Sequence, residues 1–259
     1  MPDPGFRSPL IDFFRRGEVA RDVRLLAAQG ALAPRAHEQL ALLVLLADDA
    51  DPDIARATAA TLDALPREPL AAFLGRSDVP RETREFFAAR GVVVETGAAG
   101  ASAAGDDPLL DTLAELPKAP DGEGEDVRKL LSSLPVIERV KLAMKGSREQ
   151  RAQLVRDTNR LVAAAVLSSP KLNHAEVEAF TKMGNVSEDT MRTIATNRGW
   201  LKNYGILAGV CRHPKTPPAI SMQLLHRLHE RDLKTLTTDR NVQEGLRVLA
   251  RKIVSKGKA

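Results

Sequence analysis

Apolar residues recur along this chain at the spacing of amphipathic helices. Leu40, Leu43, Val44 and Ala47 stand at positions i, i+3, i+4 and i+7, which places them on one face of a helix over 35–47. Similar short apolar stretches, separated by polar residues, Pro and Gly, fill residues 8–91 and the chain from about Asp126 onward. The pattern predicts an all-α protein.

Residues that start and stop helices flank these stretches. Ser8 and Asp51 each precede a Pro, as expected for a capping residue followed by the first helical position. Ser147 stands three residues before a Gln, which is the spacing of a capping box. Gly17 and Gly30 follow apolar stretches and predict helix ends.

One pattern occurs twice, 44 residues apart. Asn159 begins an apolar run that ends at Pro170-Lys171, and Asn203 begins a second run that ends at Pro214-Lys215. A repeated unit of this length is typical of helical solenoids, in which each unit buries its apolar face against its neighbour.

Several turns resemble the inter-helix turn of HEAT-type and leucine-rich-variant repeats, in which an Asp-Pro-Asp turn precedes a Val-Arg pair. The segments that carry the resemblance are 46–56, which is one residue short before Arg56, 78–84, 241–247 with Asn in place of Asp, and the longer 185–192. The second half is also similar to uncharacterised bacterial proteins with Pro-Lys and Asn-Val-x-Glu motifs. The resemblance implies a HEAT-like α-solenoid and implies no activity.

The same turns predict a ladder of polar contacts. Asp78 is expected to cap the helix that follows it. Arg84, Arg192 and Arg247 are expected to reach an acid of the neighbouring repeat, with ligand contact as the alternative.

Charge divides the chain into three parts. Residues 1–92 carry 12 basic and 14 acidic side chains, residues 93–126 carry 1 and 9, and residues 127–259 carry 25 and 11. We therefore predict a helical-repeat domain at 1–92, a flexible acidic linker at 93–126 and a basic helical-repeat domain at 127–259. An amphipathic island at 108–116 is either a short docking helix or the remnant of a repeat, and the acidic segment could shield the basic domain.

Composition restricts the chemistry. Cys211 is the only cysteine, so thiolate metal sites and intramolecular disulfides are not expected, and no cofactor or metal is predicted. His37-Glu38 and His229-Glu230 have no matched partners of the kind that a HEAT-like di-iron site needs. The start lacks a secretory pattern and no run approaches the ~20 apolar residues of a membrane span, which favours a cytoplasmic protein.

A basic region in the second half is the main functional signal. It contains Lys171 and Lys215 at equivalent repeat positions, together with Arg156, Arg160, Lys202 and Arg212. Trp200 and Tyr204, the only Trp and Tyr, are either a recognition spot or a packing pair at i, i+4.

These residues lead to two functional hypotheses. The first is a non-enzymatic adaptor or scaffold that binds a protein through a helical-repeat surface. The alternative is binding of nucleic acid, or of another acidic or phosphorylated partner, by the basic domain. A basic face that only keeps the protein in solution is the simpler alternative to both.

Overall fold

A computed structural model describes residues 5–6, 8–33, 35–92, 106–110 and 125–256, and these residues form helices and no strand. The predicted all-α class is confirmed. The α-helices are α1 (Pro9–Arg15), α2 (Arg21–Ala28), α3 (Ala36–Leu46), α4 (Pro52–Ala64), α5 (Arg67–Leu74), α6 (Arg81–Ala88), α7 (Glu125–Ser133), α8 (Val136–Lys145), α9 (Arg148–Leu154), α10 (Arg160–Ser168), α11 (His174–Phe180), α12 (Glu188–Thr196), α13 (Tyr204–Arg212), α14 (Pro218–Leu224), α15 (Glu230–Thr238) and α16 (Glu244–Lys256). Two short 3-10 helices lie at Trp200–Lys202 and Leu225–Arg227.

Most local start and stop signals act as the sequence predicts. The Ser8 hydroxyl caps α1, the Asp51 carboxylate caps α4, and Ser147 forms a complete capping box at the start of α9. Gly17 and Gly30 follow α1 and α2 with φ of 71° and 74°, a conformation that favours glycine.

The cap predicted at Asp78 is wrong. The residue before α6 is Pro80, which offers no side-chain acceptor, and the Asp78 carboxylate pairs with the Arg76 guanidinium at 2.6 Å. Arg84 donates to the main-chain carbonyls of Arg76 and Val79 at 2.9 and 2.8 Å. This arginine therefore fixes its own turn rather than a neighbouring repeat.

The other two arginines of the predicted ladder also bond within their own helices. Arg192 pairs with Glu188 on α12, and Arg247 pairs with Glu244 on α16. In both cases the paired acid lies one turn earlier on the same helix, so the predicted inter-repeat contacts of these residues are wrong.

Two helices are buried nearly all round. In α3, ten of eleven residues are buried, and in α10 eight of nine. Leu40, Leu43 and Val44 of α3 pack with α5 and α6, while its opposite side joins a second, larger apolar cluster. The single buried face that the sequence predicts for α3 is therefore too narrow, because neighbouring helices cover both sides.

Helix α1 lies between these two central helices. It packs against α3 of the first half and α10 of the second, and α2 also contacts α8. The buried α1 residues Leu10, Ile11, Phe13 and Phe14 belong to the same apolar cluster as the buried face of α10. The division at 1–92 and 127–259 stays a prediction, and the structure adds an apolar contact between the two parts.

In the second half, helices pack chiefly on helices one or two positions away in the chain. The neighbours include α8 and α10, α10 and α12, α11 and α13, and α14 and α16. Within the described residues, no helix is both long and apolar enough to cross a membrane.

Most of the predicted linker lies outside the described residues, namely 93–105 and 111–124. Of the predicted helix 108–116, residues 108–110 are described and are not helical, and the remainder is among those residues. Residues 106–110 lie against α3, bonded to its first turn.

Candidate functional site

The two copies of the sequence repeat form matching helices. Both α10 and α13 have nine residues and begin 44 residues apart. The Asn159 side chain accepts from the amide of Leu161 at 2.9 Å, and Asn203 accepts from Gly205 at 2.8 Å and Ile206 at 3.3 Å. The Asn cap is therefore a shared element of both copies.

The first repeated lysine, Lys171, caps the C-terminal end of a helix. Its ammonium donates to the main-chain carbonyl of Lys145 at 2.8 Å, at the end of α8. The Ser169 hydroxyl donates to the neighbouring carbonyl of Met144 at 2.7 Å. A cation at the carbonyl end of a helix is favourable, so Lys171 has a structural role although its side chain is exposed.

The second repeated lysine, Lys215, is placed differently. Its ammonium forms no ion pair or hydrogen bond with any described residue. The contact to the chain after α11 is made instead by His213, whose Nε2 lies 3.1 Å from the Met183 carbonyl oxygen. Burial, together with the charge of Lys215, lowers the pKa of His213 despite that hydrogen bond. Of the two repeated lysines, Lys215 is thus the one whose ammonium is unpaired among the residues that the structure describes.

Lys215 lies in a groove of about 520 Å³ beside the start of α10. This α10 groove is lined by Arg156, Asp157, Arg160, Glu188, Asp189 and Lys215, and does not include Lys171. Arg160 pairs with Asp189 at 3.0 Å, and Arg156 donates to the Ala152 carbonyl at 3.0 Å. Three predicted basic residues therefore meet here, together with three acids.

A second groove, of about 500 Å³, follows the exposed side of α13. The residues that line this α13 groove include Glu178, Lys182, Tyr204, Arg212, Asp232 and Asp239. Lys182 pairs with Glu178 at 2.8 Å. Two predicted site residues, Tyr204 and Arg212, thus lie in one groove.

Asp232 of α15 connects those two predicted residues. One of its carboxylate oxygens accepts from the Tyr204 hydroxyl and the other from the Arg212 guanidinium. The Tyr204 oxygen also accepts from the His229 amide at 3.0 Å, and the two rings lie 4.2 Å apart. The arrangement holds α13 and α15 in register and presents a fixed phenol, cation and carboxylate at the surface.

This environment changes the acidity of the phenol. Burial, followed by the hydrogen bond to the Asp232 carboxylate, raises the pKa of Tyr204 above its ordinary value. The phenol is therefore a proton donor held in place, rather than a group poised to lose its proton near neutral pH.

The floor of the α13 groove depends on two glycines of α13. A Cβ at Gly209 would overlap the Thr181 hydroxyl oxygen and lie 2.7 Å from the Thr181 Cβ. A Cβ at Gly205 would lie 2.5 Å from the carboxyl carbon of Glu178. Small residues at i and i+4 therefore let α11 and α13 pack closely, which places Glu178 in the groove.

The remaining predicted residues lie beside these grooves. Trp200 is half-buried and packs on the larger apolar cluster, as Tyr204 also does, so packing accounts for both rings. Lys202 is exposed, and its ammonium bonds to no described residue. Tyr204 also lines the α13 groove.

Cys211 is buried in α13, 1% exposed, and burial raises its pKa to about 12. A thiol that is inaccessible and protonated does not act as a nucleophile. Among the described residues, no three His, Cys, Asp or Glu side chains lie close enough to hold a metal ion.

Sequence reasoning missed Asp232, Asp189 and Glu178, although each contacts or faces a predicted site residue. Asp232 meets Tyr204 and Arg212 across 28 and 20 residues of sequence, and Asp189 meets Arg160 across 29. Nothing in the local pattern distinguishes these acids from solvated ones. Comparison with family models, curated proteins and solved structures finds no match for this chain.

Proposed function

We propose that the chain is a HEAT-like α-solenoid protein that acts as a non-enzymatic adaptor and binds a protein partner through the α10 and α13 grooves. The repeat architecture is supported by matching helices 44 residues apart and by helices that pack in chain order. The proposed location is the cytoplasm, in keeping with a chain whose one thiol is free and buried.

The observation that carries the proposal is charge pairing within the grooves. Arg160 is neutralised by Asp189 and Arg212 by Asp232, while Lys171 is bound to a helix end. Phosphate binding depends on cations that are free to replace counterions, and most of the predicted basic residues are not free. Grooves that carry both signs of charge fit the polar rim of a protein interface better than a nucleic-acid track.

Capture of partners by the intact protein tests this function. Cross-linked partners should be lost with Lys215→Glu, which reverses a free charge in the α10 groove. Lys252→Glu, an exposed lysine on α16, is the matched control and should keep them. Equal capture of the partners by both variants would contradict a role for the α10 groove.

A salt titration separates the two macromolecular classes. Binding of a generic DNA or RNA duplex should be weak, and any binding should fall by orders of magnitude between ~50 and ~200 mM salt. Tight, salt-sensitive duplex binding that Lys215→Glu abolishes would replace the adaptor proposal with the nucleic-acid alternative.

A further inference from the structure

The acidic segment of residues 106–110 caps a helix far away in the chain. The Asp106 carbonyl accepts from the Ala36 amide at 3.0 Å, and one carboxylate oxygen accepts from the His37 amide at 3.3 Å. The other carboxylate oxygen bonds to the His37 ring. Arg35, the residue in the N-cap position of α3, supplies no side-chain cap. The docked segment thus provides the N-terminal cap that Arg35 does not supply to this eleven-residue helix.

The other end of the docked segment is held by its main chain. The Gln39 carboxamide donates to the Leu110 carbonyl at 2.8 Å and accepts from the Leu110 amide at 3.1 Å. Gln39 is 1% exposed and is itself fixed by a second bond, from its amide nitrogen to the Gly30 carbonyl at 2.8 Å. A buried carboxamide oriented in this way recognises the backbone of one residue of a bound peptide.

Apolar contacts fill the space between these polar ends. Leu109 and Leu110 pack against the cluster formed by α3, α5 and α6, which includes Leu40, Leu43 and Leu74. The docked segment therefore contacts this surface through three side chains in fixed order: an acid, then two apolar side chains three and four positions later.

The charges near the segment favour an acid at its first position. Burial by itself raises the pKa of Asp106, but the hydrogen bond and charge of His37 and the charge of Arg76 outweigh it and lower the pKa. The carboxylate is thus held in its charged form at the positive end of a helix.

We propose that this surface of α3, formed by His37, Gln39 and the apolar cluster around Leu40, is a docking site for short peptides of the pattern Asp-x-x-Leu-Leu. Residues 106–110 are its occupant in cis. In sequence, 17 residues at 89–105 separate the segment from α6, and 14 residues at 111–124 separate it from α7. A tethered occupant of this kind competes at an effective concentration in the millimolar range, so a partner's peptide must displace it. This site is separate from the α10 and α13 grooves and does not depend on their function.

Binding of a labelled peptide with the sequence of residues 104–112 tests the site. The full-length variant Asp106→Ala/Leu109→Ala/Leu110→Ala removes the cis occupant, and we expect it to bind the peptide at least about tenfold more tightly than the natural chain does. Adding Gln39→Leu to that variant should remove the binding, because both main-chain bonds are lost. A scrambled peptide of the same composition should not bind.

Equal affinity for the natural chain and the triple variant, or binding that survives Gln39→Leu, would overturn the proposal. So would the absence of any binding to a folded triple variant, because the contact would then be only a structural tether. If the triple variant unfolds, Leu110→Ala alone, which keeps the cap at Asp106, replaces it with the same expected order of affinities.

Discussion

Arg151 and Glu176 form a bidentate ion pair in the interior of the second half. The guanidinium donates from Nε to one carboxylate oxygen at 2.9 Å and from Nη2 to the other at 2.7 Å, and both side chains are nearly inaccessible to water. A further bond from Arg151 to the Gly146 carbonyl and one from Asn173 to Glu176 complete the arrangement. The pair joins α9 to α11.

Removing one member of this pair should be costly. Glu176→Ala leaves a buried cation without its partner, and we expect a loss of about 3–5 kcal/mol in the free energy of unfolding, measured by urea denaturation. Arg151→Met/Glu176→Leu should cost far less than the single change. Glu188→Ala, which breaks an exposed pair on α12, should cost no more than ~0.5 kcal/mol. A small loss for Glu176→Ala would show that water reaches the pair.

Close packing of α11 on α13 makes Gly209 sensitive to substitution. Gly209→Ala should destabilise the protein by about 1–3 kcal/mol, because the added methyl group meets Thr181 on the facing helix. Gly184→Ala, where no atom lies within 4 Å of the added group, should be close to neutral. Thermal melting of the two variants side by side measures the difference, and equal melting temperatures would contradict the close approach.

Tyr204 is the only tyrosine, so its ionisation can be followed in the whole protein by tyrosinate absorbance. Asp232→Asn removes the carboxylate that accepts the phenol's hydrogen bond, and we expect the pKa of Tyr204 to fall toward its ordinary value of about 10. Asp239→Asn, in the same groove, controls for the loss of one charge. An unchanged pKa of Tyr204 in Asp232→Asn would show that burial alone raises it.

Glu38 of α3 is a buried acid whose second carboxylate oxygen, Oε2, has no hydrogen-bond partner within the described residues. Burial raises the pKa of Glu38, and this effect outweighs the opposing influence of His37, the Ser8 hydroxyl and Arg35. Because the folded state holds this proton more tightly than the unfolded chain, protonation of Glu38 contributes stability that is fully present below the unfolded pKa. This stability is lost as the pH rises through the raised, folded-state pKa.

Glu38→Gln should therefore be more stable than the natural protein at pH ~7, and the difference should shrink toward pH ~4. Melting temperatures across this range measure the effect, and a gain of about 1 kcal/mol corresponds to roughly 2–4 °C. Glu68→Gln, an exposed acid on α5, controls for the loss of one charge. A constant difference at every pH would show that the proton of Glu38 is not involved.

The contact of α1 with α10 predicts that the two parts of the chain associate. Polypeptides 1–92 and 127–259, prepared separately, should form a complex because each exposes apolar surface that the other covers. Phe14→Asp, at a position only 4% exposed, should prevent this association. Two folded polypeptides that remain separate at high concentration would instead support independent domains.

The sequence predicts the features of this fold that depend on neighbouring residues. The caps at Ser8, Asp51 and Ser147 are correct because a side chain that accepts from an amide two or three positions later leaves a local pattern. The same local pattern predicts a cap at Asp78 incorrectly, because Pro80 occupies the capping position and the Asp78 carboxylate pairs with Arg76.

Contacts between distant residues left no such pattern. The bond between His37 and Asp106 spans 69 residues, and the pair of Arg151 and Glu176 spans 25. The charge of the second half was predictable from composition. The neutralisation of Arg160 and Arg212 by acids of the same chain was not predictable, because Asp189 and Asp232 meet these arginines only when the helices pack.

The buried thiol of Cys211 offers a reporter of motion in this protein. As the one cysteine, protonated and 1% exposed, it can react with a thiol reagent only when α13 separates from its neighbours. The rate of labelling in native buffer therefore measures how often that part of the core opens, without any added probe. A peptide or partner that slows the labelling would therefore show that its binding stabilises the core around α13 against opening.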